Sequence, residues 1–195
     1  MAEFEGECSE WLNECLKVFP KLGKKYVIIA RYYRLSKKML SRIRINTLNM
    51  DIDIEALLLH GESKPEPKMV LRGFCEIQIN NRLKEIENKE VRKQIVQHTM
   101  IHNLLYAERK DLETTEKKKS AKQKKEDQEE FDEEVFQRFN KLRELNGLPP
   151  IKKREELDLA FAKILTKLDE KIAQKTKTPK RQKQKINPKK ISRKK

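Results

Sequence analysis

Seven residues in which apolar and polar side chains alternate, Phe74-Cys75-Glu76-Ile77-Gln78-Ile79-Asn80, stand just ahead of a long stretch of helical period, Glu90 to Asp111. The two periods place side chains differently. Alternation sends neighbours to opposite faces of a strand, whereas apolar residues three and four apart form one stripe on a helix. The helical stripe holds Val91, Ile95, His98, Ile101 or His102, Leu105 and Leu112. Neither a one-sided strand nor a striped helix can bury its apolar face alone, so each must pack on something of the other kind. The expected class is α+β: a small mixed sheet packed with a long central helix, followed by a helical hairpin and a disordered basic tail.

The rest of the chain supplies the other parts. Ser9 is read as the cap of a first helix carrying Trp11, Leu12, Cys15, Leu16 and Phe19 on one face, stopped by Pro20 and Gly23. Tyr26-Val27-Ile28-Ile29-Ala30 is apolar on both parities and reads as a central strand. Ser41 to Asn46 alternates, which puts Ile43 and Ile45 inward and Arg42 and Arg44 outward. Residues 31–39 fit a turn or a short helix equally. Leu57-Leu58-Leu59-His60-Gly61 reads as a buried segment running into a Pro-rich loop, and His60 has no neighbours that would make it a ligand.

From Thr114 to Glu130 no large apolar residue occurs, so this is a charged linker or a solvated helical extension. Phe131, Val135, Phe136, Phe139, Leu142 and Leu145 then make a second stripe, ended by Asn146-Gly147. Glu155 to Ala173 carries Leu157, Phe161, Ile164, Leu165, Leu168 and Ile172. These two helices form a hairpin whose stripes must bury against each other, the first domain, a partner or a second copy. The expected division is 1–113 for the α+β domain, 114–130 for the linker, 131–173 for the hairpin and 174–195 for the tail.

Charge is unevenly spread. Residues 175–195 hold eleven of the Lys and Arg and no acid, and so supply most of the formal net charge of +15. Lys180, Arg181, Lys183, Lys185, Lys189, Lys190, Arg193, Lys194 and Lys195 are the candidate phosphate contacts. No aromatics interleave them, which points to counterion release rather than base stacking. Several chemistries are excluded. Three cysteines, Cys8, Cys15 and Cys75, form no C-x-x-C pair, which argues against a zinc ribbon or a disulfide framework. The five glycines form no phosphate loop, and no G-x-S-x-G elbow is present. No secretory leader or long apolar run appears, so the expectation is a soluble cytoplasmic protein with no membrane association.

The remaining chemistry lies on the long helix. His98 and His102 are four apart, a spacing at which two imidazoles share a helix face and can reach one zinc ion, with Glu108 or Asp111 as a third ligand. The simpler alternative is that both are packed helix residues. Thr99 stands where the water-activating glutamate of an H-E-x-x-H motif would be. In a second and preferred register, His102-Asn103-Leu104-Leu105-Tyr106 reads as H-E-L-L-H with Asn103 for the glutamate and Tyr106 for the second histidine.

With the strand Phe74–Asn80 ahead of it, this stretch resembles the small intracellular SprT-like or minimal gluzincin metallopeptidases, over about Val27 to Asp111. The resemblance implies a zincin-like fold, with the strand before the helix bordering the cleft, and zinc-dependent hydrolysis of peptides. Neither register keeps the glutamate. The expectation is therefore a non-catalytic pseudo-metallopeptidase with no resident cofactor, binding nucleic acid, RNA rather than DNA, or a ribonucleoprotein. The alternative is a zinc-dependent peptidase acting on nucleic-acid-bound proteins.

Overall fold

A computed structural model describes residues 2–46, 73–110 and 120–177 of the chain. Its class is α+β. Helix α1 (Ala2–Leu16) leads through a short turn of helix, α2 (Leu22–Lys25), into strand β1 (Tyr26–Tyr33). Strands β2 (Ser41–Asn46) and β3 (Gly73–Asn80) follow, then a 3-10 turn at Asn81–Glu85. Helices α3 (Lys89–Lys110), α4 (Ala121–Leu145) and α5 (Arg154–Lys177) complete the described elements.

The sheet has the order β1-β3-β2. β3 runs parallel to β1, with Ile28 opposite Cys75 and Ala30 opposite Ile77, and antiparallel to β2, with Ile43 opposite Ile77. The centre is therefore β3, and β1 is an edge. This corrects the reading of Tyr26–Ala30 as a central strand. That run is apolar on both faces, but only one face is covered: Tyr26 and Ala30 are buried, while Val27 is 50% exposed. β3 is the strand bonded on both sides, and its Cys75, Ile77 and Ile79 are fully buried.

Inward side chains from all three strands meet Cys8, Trp11, Leu12 and Cys15 of α1 and the length of α3 in one core. Cys8 and Cys15 share the buried face of α1, and all three cysteines are thiols rather than disulfides. Ser9 lies in the middle of α1 rather than at its start. The turn before it is held by a tertiary tie. The buried Glu7 carboxylate accepts from Arg92 Nη2 at 3.2 Å on both oxygens, and Arg92 Nη1 also donates to Ile86 O at 2.6 Å.

Residues 34–40 form a turn fastened by Asn80. Its Nδ2 donates to Ser36 O (3.0 Å) and Met39 O (2.7 Å), and its Oδ1 accepts from Arg82 N (3.1 Å). One side chain thus closes the β1–β2 connection and caps the 3-10 turn. Asn88 Oδ1 accepts from Val91 N (3.1 Å) at the start of α3.

Residues 121–130 are helix, continuous with the hairpin. Ser120 and Gln123 form a reciprocal capping box at the start of α4, a signal present in the sequence as S-x-x-Q. The pairs Lys122–Glu126 and Lys125–Glu129, both at 3.8 Å, lie along its solvated face. Gly147, at φ 73°, turns the chain out of α4 in the left-handed conformation that glycine adopts without strain. Asn140 then clasps the connection, donating to Ile151 O (3.0 Å) and accepting from Ile151 N (2.8 Å). Val135, Phe136, Phe139, Leu142, Leu157 and Leu168 are buried in the same core as the sheet. Leu57–Gly61, Leu112, the segment 114–119 and the basic tail from Thr178 lie outside the described residues.

Removing one member of a buried ion pair leaves its partner poorly compensated, here with only the exposed Lys89, 3.5 Å from Glu7 Oε1, remaining. Arg92→Leu is expected to lower the unfolding free energy by roughly 3 kcal/mol. Adding Glu7→Gln should restore part of it, read as a double-mutant cycle in urea.

Candidate nucleic-acid interface

α3 positions the two histidines toward the hairpin. The His98 ring meets Phe139 edge-on at 5.3 Å and Phe161 at 5.4 Å, and the two phenylalanines meet each other at 6.3 Å. His102 lies against Phe131 at 4.9 Å. Glu108 is held by Arg138, whose Nη2 lies 2.6 Å from its Oε2 and 2.5 Å from Glu134 Oε1. Arg138 also stacks over Phe19 at 4.3 Å. The three proposed zinc ligands thus have other partners: two in aromatic contacts, one in an ion pair. Among the described residues no group of three or more His, Cys, Asp or Glu side chains is placed to hold a metal ion. Asp111 lies outside the described residues.

The positions matched to the catalytic glutamate carry hydrogen-bonding roles inside the fold. Thr99 Oγ1 donates to Ile95 O at 2.7 Å, one turn back on its own helix. Asn103 Nδ2 donates to Thr99 O and to Ser41 Oγ, each at 2.7 Å. Asn103 therefore ties α3 to the first residue of β2. Both side chains are buried, and neither offers a carboxylate. Asn103, His102 and Tyr106 share a cavity of about 350 Å³ with Ser41, Arg42, Ile43 and Ile45. The strand bordering this hollow is β2, not the Phe74–Asn80 strand expected there, because β3 occupies the centre of the sheet.

A different arrangement, not anticipated from the sequence, lies on the sheet surface turned away from the helices. The register brings Arg31 of β1, Gln78 of β3 and Arg42 of β2 into one row, and Ile29, Glu76 and Arg44 into the next. Phe74 and Tyr33 lie on the same side. Tyr33 Oη donates to Glu76 Oε1, and Gln78 Nε2 donates to Glu76 Oε2 at 2.8 Å. That bond from Tyr33 holds the Glu76 carboxyl below its usual range and the Tyr33 phenol above its own. The adjoining β1–β2 turn adds Arg34, Lys37 and Lys38.

All six cations of this surface are exposed, and none joins an ion pair among the described residues. Some cations of the helical layers are paired. There Arg82 pairs with Asp169 (2.5 Å), Lys93 with Glu14 (2.8 Å), Arg109 with Glu134 (2.7 Å) and Lys171 with Glu87. Other exposed lysines of the helices, Lys141, Lys163 and Lys167 among them, join no ion pair among the described residues either, so what sets the sheet surface apart is that its cations lie together. The signal was partly present in the sequence: Arg42 and Arg44 alternate outward, and Arg31 shares its parity with Tyr33. Only the non-local register shows that they meet.

Comparisons with protein-family models, with curated proteins and with solved structures returned no match. Among the described residues no helix is long and apolar enough to cross a membrane.

Burial between the two phenylalanines pushes the His98 imidazole down to about 4 from an ordinary 6.5; His102 adds to the effect and Asp132 opposes it. His102 is lowered in the same way by burial. As pH falls, the unfolded chain takes up these protons before the folded one does. The stability contributed by neutral His98 is thus complete above pH 6.5 and is lost progressively down to about pH 4. The loss should reach roughly 3 kcal/mol at most. Urea unfolding across that interval should show His98→Phe with a shallower decline than the parent chain.

Proposed function

We propose that the protein is a non-catalytic, cytoplasmic nucleic-acid-binding protein built on a zincin-like domain, acting on RNA or a ribonucleoprotein. The observation that carries this reading is a cluster of exposed cations. Six exposed cations with no ion-pair partner among the described residues share one sheet surface and its adjoining turn. Cations that are already paired have little left to offer a phosphate, whereas unpaired ones can displace its counterions. The basic segment 175–195 adds a second, sequence-tolerant source of phosphate contacts. On the zincin side, the hydrogen bonds of Thr99 and Asn103 support a scaffold rather than a hydrolase, since a water-activating base needs a carboxylate where these stand.

The test is binding to RNA and DNA as a function of salt. Three proteins are compared: the full chain, an Arg31→Gln/Arg42→Gln/Arg44→Gln variant, and a chain ending at Lys177. The full chain should bind with an affinity that falls steeply as salt rises. Each arginine that contacts a single strand contributes about 0.7 to the slope of log K against log salt, so the triple variant should be shallower by about 2. Binding that ignores salt, or a triple variant with the parent's slope, refutes the reading of the sheet surface.

A further inference from the structure

We infer that the open edge of β2 is a docking site for the chain's own segment 51–55, which adds to the sheet antiparallel to β2. The inference stands apart from the nucleic-acid reading, and no nucleic acid is needed to test it.

β2 is bonded to β3 along one side, and among the described residues no strand pairs with its other side. The phase of the ladder shows which groups are left over. Asn80 N donates to Leu40 O at 2.8 Å, and alternate residues of an antiparallel strand bond to the same neighbour. Arg42 and Arg44 therefore turn their backbone groups to β3, while Ser41, Ile43 and Ile45 turn theirs to the open edge. Such edge groups are a template for another strand.

The two faces beside that edge specify what can fill it. Toward α3 lies a hollow of about 350 Å³ lined by Ile43, Ile45, His102 and Tyr106. Ile43 and Ile45 are only half-buried, and Arg42 and Arg44 stand exposed on the opposite face. An occupant in register with β2 thus needs apolar side chains on one parity and carboxylates on the other. Residues 51–55 read Asp-Ile-Asp-Ile-Glu. They follow β2 after residues 47–50, an ordinary length for a hairpin connection. Antiparallel pairing across that connection sets Ile52 opposite Ile45, Asp53 opposite Arg44, Ile54 opposite Ile43 and Glu55 opposite Arg42. Ile52 and Ile54 then share the face of the hollow, and both arginines gain a carboxylate across the strand. A slip of one residue would put the isoleucines beside the arginines and the acids over the hollow, so the phase is fixed. Docked in this way, Asp53 and Glu55 compete with any phosphate for Arg44 and Arg42.

The experiment makes two measurements on the full chain. The first is amide hydrogen exchange of the unsubstituted protein by NMR. The Ile43 and Ile45 amides, which point away from β3, should be protected as well as those of Arg42 and Arg44, which are bonded to it. Fast exchange at Ile43 and Ile45 overturns the inference. The second is disulfide formation in dilute oxidised glutathione, followed by intact mass and non-reducing gel. Arg44→Cys/Asp53→Cys sets two thiols opposite each other, and Arg44→Cys/Glu55→Cys sets them two residues out of register. Arg44 is exposed, so its replacement leaves the core intact. The first pair should close at least about tenfold faster than the second, because paired strands hold opposite Cβ atoms within disulfide range and offset ones beyond it. Equal rates mean that something else covers the edge, and a disulfide joining two chains means that a second copy does. Either result overturns the inference.

Discussion

Helix α3 has no solvent side along most of its length, and the rest of the molecule is arranged to meet that constraint. The sheet and α1 cover it from one direction and the hairpin from the other, burying Ile95, Val96, Met100, Ile101, Leu104, Leu105 and Ala107. A helix enclosed this way cannot leave a polar side chain unsatisfied. Several of those it carries are accordingly ties to another element. Arg92 reaches α1 through Glu7, Gln97 reaches Glu14 (2.8 Å), and Asn103 reaches β2 through Ser41. The polar residues of α3 therefore set how the layers are registered, and the apolar ones supply the area they bury.

That arrangement gives the histidines an ordinary structural explanation. A small aromatic ring with one polar edge suits the seam between α3 and the hairpin, where Phe131, Phe139 and Phe161 converge. The spacing that brings two imidazoles to one metal also brings them to one neighbouring helix pair. Periodicity alone does not distinguish the two, because it reports which face a residue occupies and not what covers that face. The residues at the motif positions serve packing and hydrogen bonding.

What was legible in the sequence was the part governed by local period. The stripes of α4 and α5 are set by spacing within one helix, and Phe139, Leu142, Leu157 and Leu168 are buried as that spacing requires. The inward turn of Ile43 and Ile45 follows from alternation in the same way. What was not legible depended on partners far away in the chain. Tyr26–Ala30 is apolar enough for the middle of a sheet, yet β3, much later in sequence, takes that place. Ser9 has the chemistry of a cap but lies inside a helix whose first turns are held by Arg92. The sheet surface was missed for the same reason: Arg31, Tyr33, Arg42, Arg44 and Glu76 come from three strands, and no local pattern joins them.

The three cysteines give the interior a built-in reporter. Cys8 and Cys15 lie on α1 and Cys75 on the central strand, so together they sample the helical layer and the sheet. Burial raises the Cys15 thiol well above its usual range and pushes Cys75 up to about 11. Since the thiolate is the reactive form, a folded chain keeps Cys15 and Cys75 inert toward oxidants and alkylating agents, and burial alone shields Cys8. Their chemistry becomes available only when the layers separate. The rate at which each thiol is modified therefore measures how often its own layer opens, and a difference between α1 and β3 would reveal whether the two come apart as one unit or in turn.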